Sequence, residues 1–318
     1  MCGISGVLFK NGKHPDLKMT TGEAVTEMMH CLLHRGPDSD GWAMYKEPLT
    51  GASLRMRFFV SEDKGEAERD VARIRAALAQ HKAKIVEEER IGITYGAIVQ
   101  YKGDSKKFAH AVEDAARLVS FGRSLDIVKD VGQPQSLGKL YRTHEFDGTH
   151  AIGHTRLATE TGVHPETTHP FWATGFEDVC VVHNGQVTNY WVMRRRLERQ
   201  GMRFHTENDT ELIAVYLAYR MDRGATFEEA LRGSLDDLDG TFTYLVATKD
   251  SIGYAKDKLA AKPLVIYEDE HMVAVASEEV SLNRLFPGRS LKTWEPAPLT
   301  YGLWTLAKPA LNRTGTEG

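Results

Sequence analysis

The sequence predicts an α+β fold with an α/β segment inserted into it. Three observations lead there. The chain opens on a compact apolar run, GISGVLF at residues 3–9, of the kind that forms a buried strand. Its final third is a series of strand-like runs: TFTYLVAT, PLVIY, MVAVAS and LTYGLWTL. Between these ends, residues 55–148 differ in character, being richer in charge and alternating strand-like with helix-like pieces.

Taken in order, a helix follows the first strand over residues 22–33. Ala24, Met28 and Leu32, with Val25, Met29 and Leu33, fall at helical spacing, and Gly36-Pro37 stops it. Residues 41–45 read as a strand. The 55–148 segment carries helices at 65–81 and 106–119, set among RMRFFVS, ITYGAIVQY and SLDIVKDV. Strand, helix, strand, strand, helix, strand is the order of a ferredoxin-like unit. Strands return at AIGHT and DVCVVH. A helix over 189–200 ends at Gly201. Another starts at Asn208, with Asp209 and Glu211 in its first turn. A third starts at Thr226 with a capping box to Glu229. The closing NRTGTEG reads as a loose tail.

Composition narrows the function. With 42% hydrophobic and 26% charged residues over 318, the chain is an ordinary globular one. A formal charge of −4 supplies no basic field for nucleic acid. No stretch reaches the roughly 18 apolar residues of a membrane helix. The N-terminus lacks the leading positive charge and cleavage site of a signal peptide, so it is read as mature sequence and the protein as cytoplasmic. Cys2, Cys31 and Cys180 lie far apart, which argues against a metal or iron–sulfur site and against a disulfide framework.

Four places carry candidate chemistry. Removal of Met1 would put the Cys2 thiol and a free α-amino group on one residue. Such an amine has a pKa of about 8, near the pH where a general base works best, and a thiol is the strongest side-chain nucleophile near neutrality. His183-Asn184-Gly185 leaves a strand with an amide side chain beside a glycine N–H, two donors of the kind an oxyanion hole needs; an Asn-Gly turn reads the same way. Arg156 follows AIGHT and can fork onto a carboxylate, or make a surface ion pair. Asp209 can meet an ammonium group, or simply favour the helix start.

These pieces stand in an order that resembles one family. Met1-Cys2-Gly3-Ile4, His34-Arg35-Gly36-Pro37-Asp38, Thr155-Arg156-Leu157-Ala158-Thr159, His183-Asn184-Gly185 and Thr206-Glu207-Asn208-Asp209-Thr210-Glu211 follow one another. Ala255-Lys256-Asp257, Lys262-Pro263-Leu264 and Ala276-Ser277-Glu278 complete the set. Together they resemble the class II, N-terminal-nucleophile glutamine amidotransferases over 1–318, apart from the inserted 55–148.

The resemblance implies a four-layer αββα sandwich of the Ntn-hydrolase type. It implies that Cys2 attacks the glutamine amide, that Asn184 and the Gly185 N–H hold the oxyanion, and that Arg156, with Thr159 near it, binds the substrate carboxylate. Asp209, with the Gly185 carbonyl, would bind the substrate ammonium. The histidines, His164 and His169 among them, are read as supporting residues. Members that aminate sugar phosphates have Trp and His where this chain has Leu157 and Glu160, a departure that argues against that acceptor.

No pyrophosphate loop Ser-Gly-Gly-x-Asp-Ser, no P-loop and no Gly-x-Gly-x-x-Gly turn is present. The ammonia acceptor is therefore expected on another polypeptide, in a hetero-oligomer. Chains of this length resemble the stand-alone amidotransferase subunit of split glutamate synthases and of N-methylglutamate synthase. That likeness implies no cofactor here, with FMN and an iron–sulfur cluster on partner subunits. The alternatives are a catalytically silent interaction subunit that kept the fold, or an amidotransferase feeding an asparagine-synthetase-like or sugar-phosphate partner. The 55–148 insertion is a candidate docking or regulatory module, or an ornament on the domain.

Overall fold

The structure is a computed structural model that describes residues 2–157, 163–306 and 308–314. β1 (Gly3–Phe9) leads to α1 (Thr21–His30), whose N-cap Thr20 accepts from Glu23 N, and then to β2 (Ser39–Tyr45). The next stretch holds β3 (Ser53–Phe59), α2 (Lys64–Gln80), β4 (Lys84–Ile91), β5 (Thr94–Gln100), α3 (Ser105–Glu113) and β6 (Leu118–Gly122). β7 (Leu125–Val131), α4 (Pro134–Leu140), β8 (His150–Arg156), β9 (Phe171–Trp172) and β10 (Cys180–Val187) follow. Then come α5 (Tyr190–Glu198), α6 (Asp209–Asp222), α7 (Phe227–Asp237), β11 (Gly240–Thr248) and β12 (Ser251–Lys256). β13 (Val265–Glu268), β14 (Met272–Ala276), α8 (Glu279–Leu285), β15 (Thr293–Trp294), β16 (Thr300–Thr305) and β17 (Lys308–Thr314) close the chain.

Two sheets face each other. One runs β15-β13-β14-β1-β8-β2-β7, the other β17-β16-β12-β11-β10-β9. Strand side chains alternate between faces, and the inner face of each sheet is apolar: Ile4, Leu8, Ala43 and Ile152 from the first meet Val182, Leu245 and Ile252 from the second in one core. The outer face of the first sheet, with Val7, Trp42 and Met44, is covered by α1, α4 and α8. The outer face of the second, with Val181, Phe242 and Val246, is covered by α5, α6 and α7. The result is the αββα sandwich that the resemblance implies. Among the described residues no helix is long and apolar enough to cross a membrane.

The inserted unit has its own sheet, β4-β5-β3-β6, with every neighbouring pair antiparallel. Order and handoff are those of a ferredoxin-like βαββαβ unit over residues 53–122. Three expectations are corrected. The helix read over 106–119 ends at Glu113, and residues 118–122 are the fourth strand. Leu118, Val119 and Phe121 are all buried, so burial on both faces, not local spacing, decides the strand. SLDIVKDV does not belong to the small sheet: Leu125–Val131 pairs with β2 at the edge of the seven-stranded sheet. The tail is not wholly loose, since Lys308–Thr314 pairs with β16. Arg57 of β3 ties the unit to the sandwich, forking onto Asp126 of β7 at 2.6 and 2.8 Å while also reaching Glu89 and Thr94.

Asp40 on β2 lies in register with Thr155 on one side and Asp130 on the other. It points to the α1 side, as Trp42 and Met44 do. It is fully buried, and among the described residues neither carboxylate oxygen has a hydrogen-bond partner. Burial pushes its pKa from 3.8 up to about 9. The folded chain thus holds a proton that the unfolded chain releases, so stability falls as pH rises between those values. Against Asp40→Asn, the wild type is expected to lose about 1.4 kcal/mol of stability per pH unit between roughly pH 4 and pH 9. Denaturant titrations of both proteins at pH 4, 6 and 8 check this; parallel pH profiles would refute it.

Candidate active site

Cys2 stands at the N-terminal end of β1, where antiparallel pairing of Gly3 with Thr155 brings it beside the end of β8. Gly3 leaves no space for a side chain: a Cβ there would lie 2.6 Å from Thr155 Oγ1 and 2.8 Å from Leu32 Cβ. The Cys2 Sγ accepts the Leu157 N–H at 3.4 Å and lies 3.7 Å from the Leu157 carbonyl oxygen. The half-buried thiol is therefore held by main chain next to Arg156.

The main chain of Cys2 is clamped from two directions. Its carbonyl oxygen accepts from Arg35 Nε at 2.9 Å and from Asn184 Nδ2 at 3.0 Å. Arg35 is buried and is itself held by Glu278 at 2.6 Å, which also takes His34 Nε2 at 3.0 Å. Asn184 comes from β10 of the facing sheet and gives a second bond to Ser277 Oγ at 3.1 Å. That hydroxyl accepts the Ile4 N–H at 3.0 Å, and the Ser277 N–H returns to the Ile4 carbonyl at 2.9 Å. The His34-Arg35 and Ser277-Glu278 motifs, seen in the sequence only as matches, are thus the scaffold that holds Cys2.

Gly185 has φ +129°, and a Cβ there would lie 1.9 Å from the Thr241 carbonyl oxygen. Its cross-strand partner Phe242 directs its own N–H to Asp257 Oδ2 at 2.9 Å and accepts the Asp257 N–H at 3.0 Å. The Gly185 N–H and carbonyl are therefore not spent on Phe242, and they turn to the other edge of β10, beyond the short β9 pairing at Cys180 and Val181.

Asp209 is the first residue of α6, whose N-cap Asn208 accepts the Thr210 N–H at 2.9 Å. Its Oδ2 accepts the Val187 N–H at 3.0 Å, and its Oδ1 lies 3.4 Å from His183 Nδ1. Burial pushes the Asp209 carboxyl up, but the His183 ring and the Val187 and Thr210 N–H groups more than offset this and hold it below the usual range. Arg156 is buried too; burial lowers its pKa against the pull of Cys2 and Asp38, and the guanidinium stays charged.

Cys2, Arg156, Gly185 and Asp209 line one cavity of about 440 Å³, with His169, His183, Tyr190 and Thr206. Four of the six residues singled out in the sequence thus share it, and Asn184 reaches its edge through Cys2. Thr159, like Glu160, lies outside the described residues. Sequence reasoning read the histidines as supporting residues and did not foresee that three of them cluster at the cavity. The rings of His154 and His169 stack at 4.0 Å; His154 Nε2 lies 3.1 Å from the His183 carbonyl oxygen. His183 Nδ1 and His169 Nε2 both reach Thr210 Oγ1, at 3.2 and 3.3 Å. Burial drives the His154 pKa to about 3 and that of His169 well below its usual value, so both are neutral at neutral pH. Positions 154, 169 and 183 carry no common spacing that would have revealed this.

Comparison with known proteins agrees with the site. Residues 154–284 match the family model of the glutamine amidotransferase domain. The chain is 36% identical to the glutamine amidotransferase-like protein GlxB of Rhizobium meliloti, covering 98% of this chain and 100% of that protein. It is also 36% identical to a provisionally named glutamine amidotransferase of Methanothermobacter thermautotrophicus, over 93% of this chain and 97% of the relative. Among solved structures, the glutamine phosphoribosylpyrophosphate amidotransferase of B. subtilis superposes with a TM-score of 0.64 at 18% identity. All of this chain is covered there but only 50% of that one, and at this identity the likeness shows the fold alone. Fold and relatives together define a glutamine amidotransferase, and the chain belongs to the class II family of these enzymes.

Gly185→Ala is expected to cost roughly 2 kcal/mol or more, from a strained φ and a backbone clash. A fall in thermal midpoint of several degrees would bear this out; an unchanged midpoint would show that β10 yields locally.

Proposed function

We propose that this chain is the glutaminase subunit of a heteromeric synthase: it hydrolyses glutamine through a Cys2 thioester and passes ammonia to a partner. The observation that carries the reading is the single cavity holding a thiol, a buried guanidinium and an ionised carboxylate. The last two match the carboxylate and ammonium of an α-amino acid.

With Met1 removed, the Cys2 α-amino group accepts the thiol proton and Sγ attacks the side-chain amide carbon of glutamine. The Gly185 N–H and Asn184 Nδ2 receive the oxyanion. Because Asn184 Nδ2 already bonds Cys2 O and Ser277 Oγ, the oxyanion takes the place of one of these acceptors. The C–N bond breaks, the nitrogen gains the proton and leaves as ammonia, and water cleaves the glutamyl thioester to glutamate and free thiol. Arg156 holds the substrate carboxylate. Asp209 and the Gly185 carbonyl hold the substrate ammonium. The acceptor subunit is of glutamate synthase or N-methylglutamate synthase type and carries the FMN and iron–sulfur cluster; the assembly is cytoplasmic. Support comes from the motif set and from relatives whose length this chain matches almost completely.

Intact mass before and after incubation with a glutamine-like chloroketone or diazo-ketone tests the reading. Loss of Met1 and a single adduct on Cys2, absent in Cys2→Ala, is the expected result. A Cys2 that stays unlabelled even with the partner present would refute it. Asp209→Asn should raise the glutamine concentration needed to protect Cys2 by about tenfold or more, since a charged hydrogen bond contributes about 1.5–3 kcal/mol.

A further inference from the structure

The inserted unit touches the sandwich beside the glutamine cavity along α3. Lys106 pairs with Asp222 at 3.2 Å, Asp114 with Arg203 at 3.2 Å, and Glu113 with His205 at 3.0 Å. Gly175 accommodates His110, whose Nε2 would lie 2.6 Å from a Cβ there. The first two pairs join exposed groups and add little. Glu113 differs: its side chain is only 7% exposed, so the acidic half of its pair with the 41% exposed His205 is buried.

Glu113 and His205 line a second cavity of about 330 Å³ between the inserted unit and the sandwich, with Phe59, Lys129, Trp172 and Glu211. Thr206 lines both this cavity and the catalytic one. The loop between them is tied to α6, because Glu211 accepts the His205 N–H at 2.8 Å, the Thr206 N–H at 2.8 Å and the Thr206 hydroxyl at 2.7 Å. Thr206 Oγ1 in turn accepts the Asn208 N–H at 3.1 Å, and the next residue is Asp209. Hydrogen bonds thus connect His205 over four residues to the carboxylate assigned to the substrate ammonium.

We propose that Glu113 is a positioning residue for glutamine: by holding His205 it sets the 205–208 loop, and the inserted unit controls glutamine affinity through this link. The proposal rests on the reading of Asp209 as the ammonium site. The link is strongest with His205 protonated and Glu113 ionised. The Glu113 carboxylate 3.0 Å away raises the His205 pKa above 6.5 against burial, while burial raises that of Glu113. Glu211, Arg203, Asp114 and His110 face the pair, and Lys129, Arg117 and Glu166 line the same cavity. As pH rises through the folded His205 pKa, the pair loses its charge and glutamine binding weakens.

The test measures how much glutamine protects Cys2 of the full chain from the chloroketone, with alkylation by iodoacetamide as the report on the thiol itself. Glu113→Gln and His205→Gln are each expected to weaken protection five- to tenfold. The double variant should be no worse than either single one. Iodoacetamide rates and protection in Asp114→Asn should match the wild type. The loss of protection above pH 6.5 should shrink in Glu113→Gln. Wild-type protection in a folded Glu113→Gln, or effects that simply multiply in the double variant, would overturn the proposal. Should Glu113→Gln not fold, His205→Gln cuts the same link from the loop side and decides alone. A wild type that is labelled at Cys2 but not protected by glutamine would instead overturn the glutamine site itself.

Discussion

The carbonyl oxygen of Cys2 is the point on which the site depends. It accepts one bond from Arg35, reached from the α1 side, and one from Asn184 on the facing sheet. Both donors are buried, so each bond is made where an unmet partner would cost about 1–3 kcal/mol. Fixing this one oxygen fixes the residue that bears the thiol, and the Leu157 N–H then orients the sulfur. Glu278 and Ser277 complete the frame from the end of β14. On the proposed reading the nucleophile is thereby set before substrate arrives, which is where positioning contributes most to rate.

The sandwich explains why these groups meet. Thr155, next to Arg156, is in register with Gly3 in one sheet, so the guanidinium arrives beside the thiol by hydrogen-bond pairing. Gly185 sits on β10 of the other sheet opposite Phe242, whose main-chain groups Asp257 diverts. Asp209 starts a helix of the outer layer and is joined to β10 through Val187 and His183. Three layers therefore supply one cavity, and the apolar core between the sheets keeps their spacing constant. The inserted unit lines no part of that cavity; through α3 it sets Glu113 against His205, on the loop that leads to Asp209.

Much of this was legible in the residues. Cys2, Arg156, Asn184, Gly185 and Asp209 stood out because each type suits one part of amide chemistry and the surrounding motifs keep family order. The first strand, the Asn208 and Thr226 helix starts and the inserted ferredoxin-like order were readable because period and caps are local signals. The errors share a physical cause. The second inserted helix was read on to 119, into the strand at 118–122, and SLDIVKDV was assigned to the wrong sheet, because a strand buried on both faces shows no alternation and its partner is set by distant chain.

By itself the sequence determined which chemical groups are at hand: a thiol at position 2, donors at 184 and 185, and opposite charges at 156 and 209, since reactivity and charge belong to the residue type. Only the tertiary structure decided the supports. Arg35 on the Cys2 carbonyl, the stacked His154 and His169, the buried Asp40 and the Glu113–His205 link join residues from 15 to 92 positions apart or depend on burial. Such contacts follow from sheet register and packing, which are properties of the whole chain and leave no mark on local spacing.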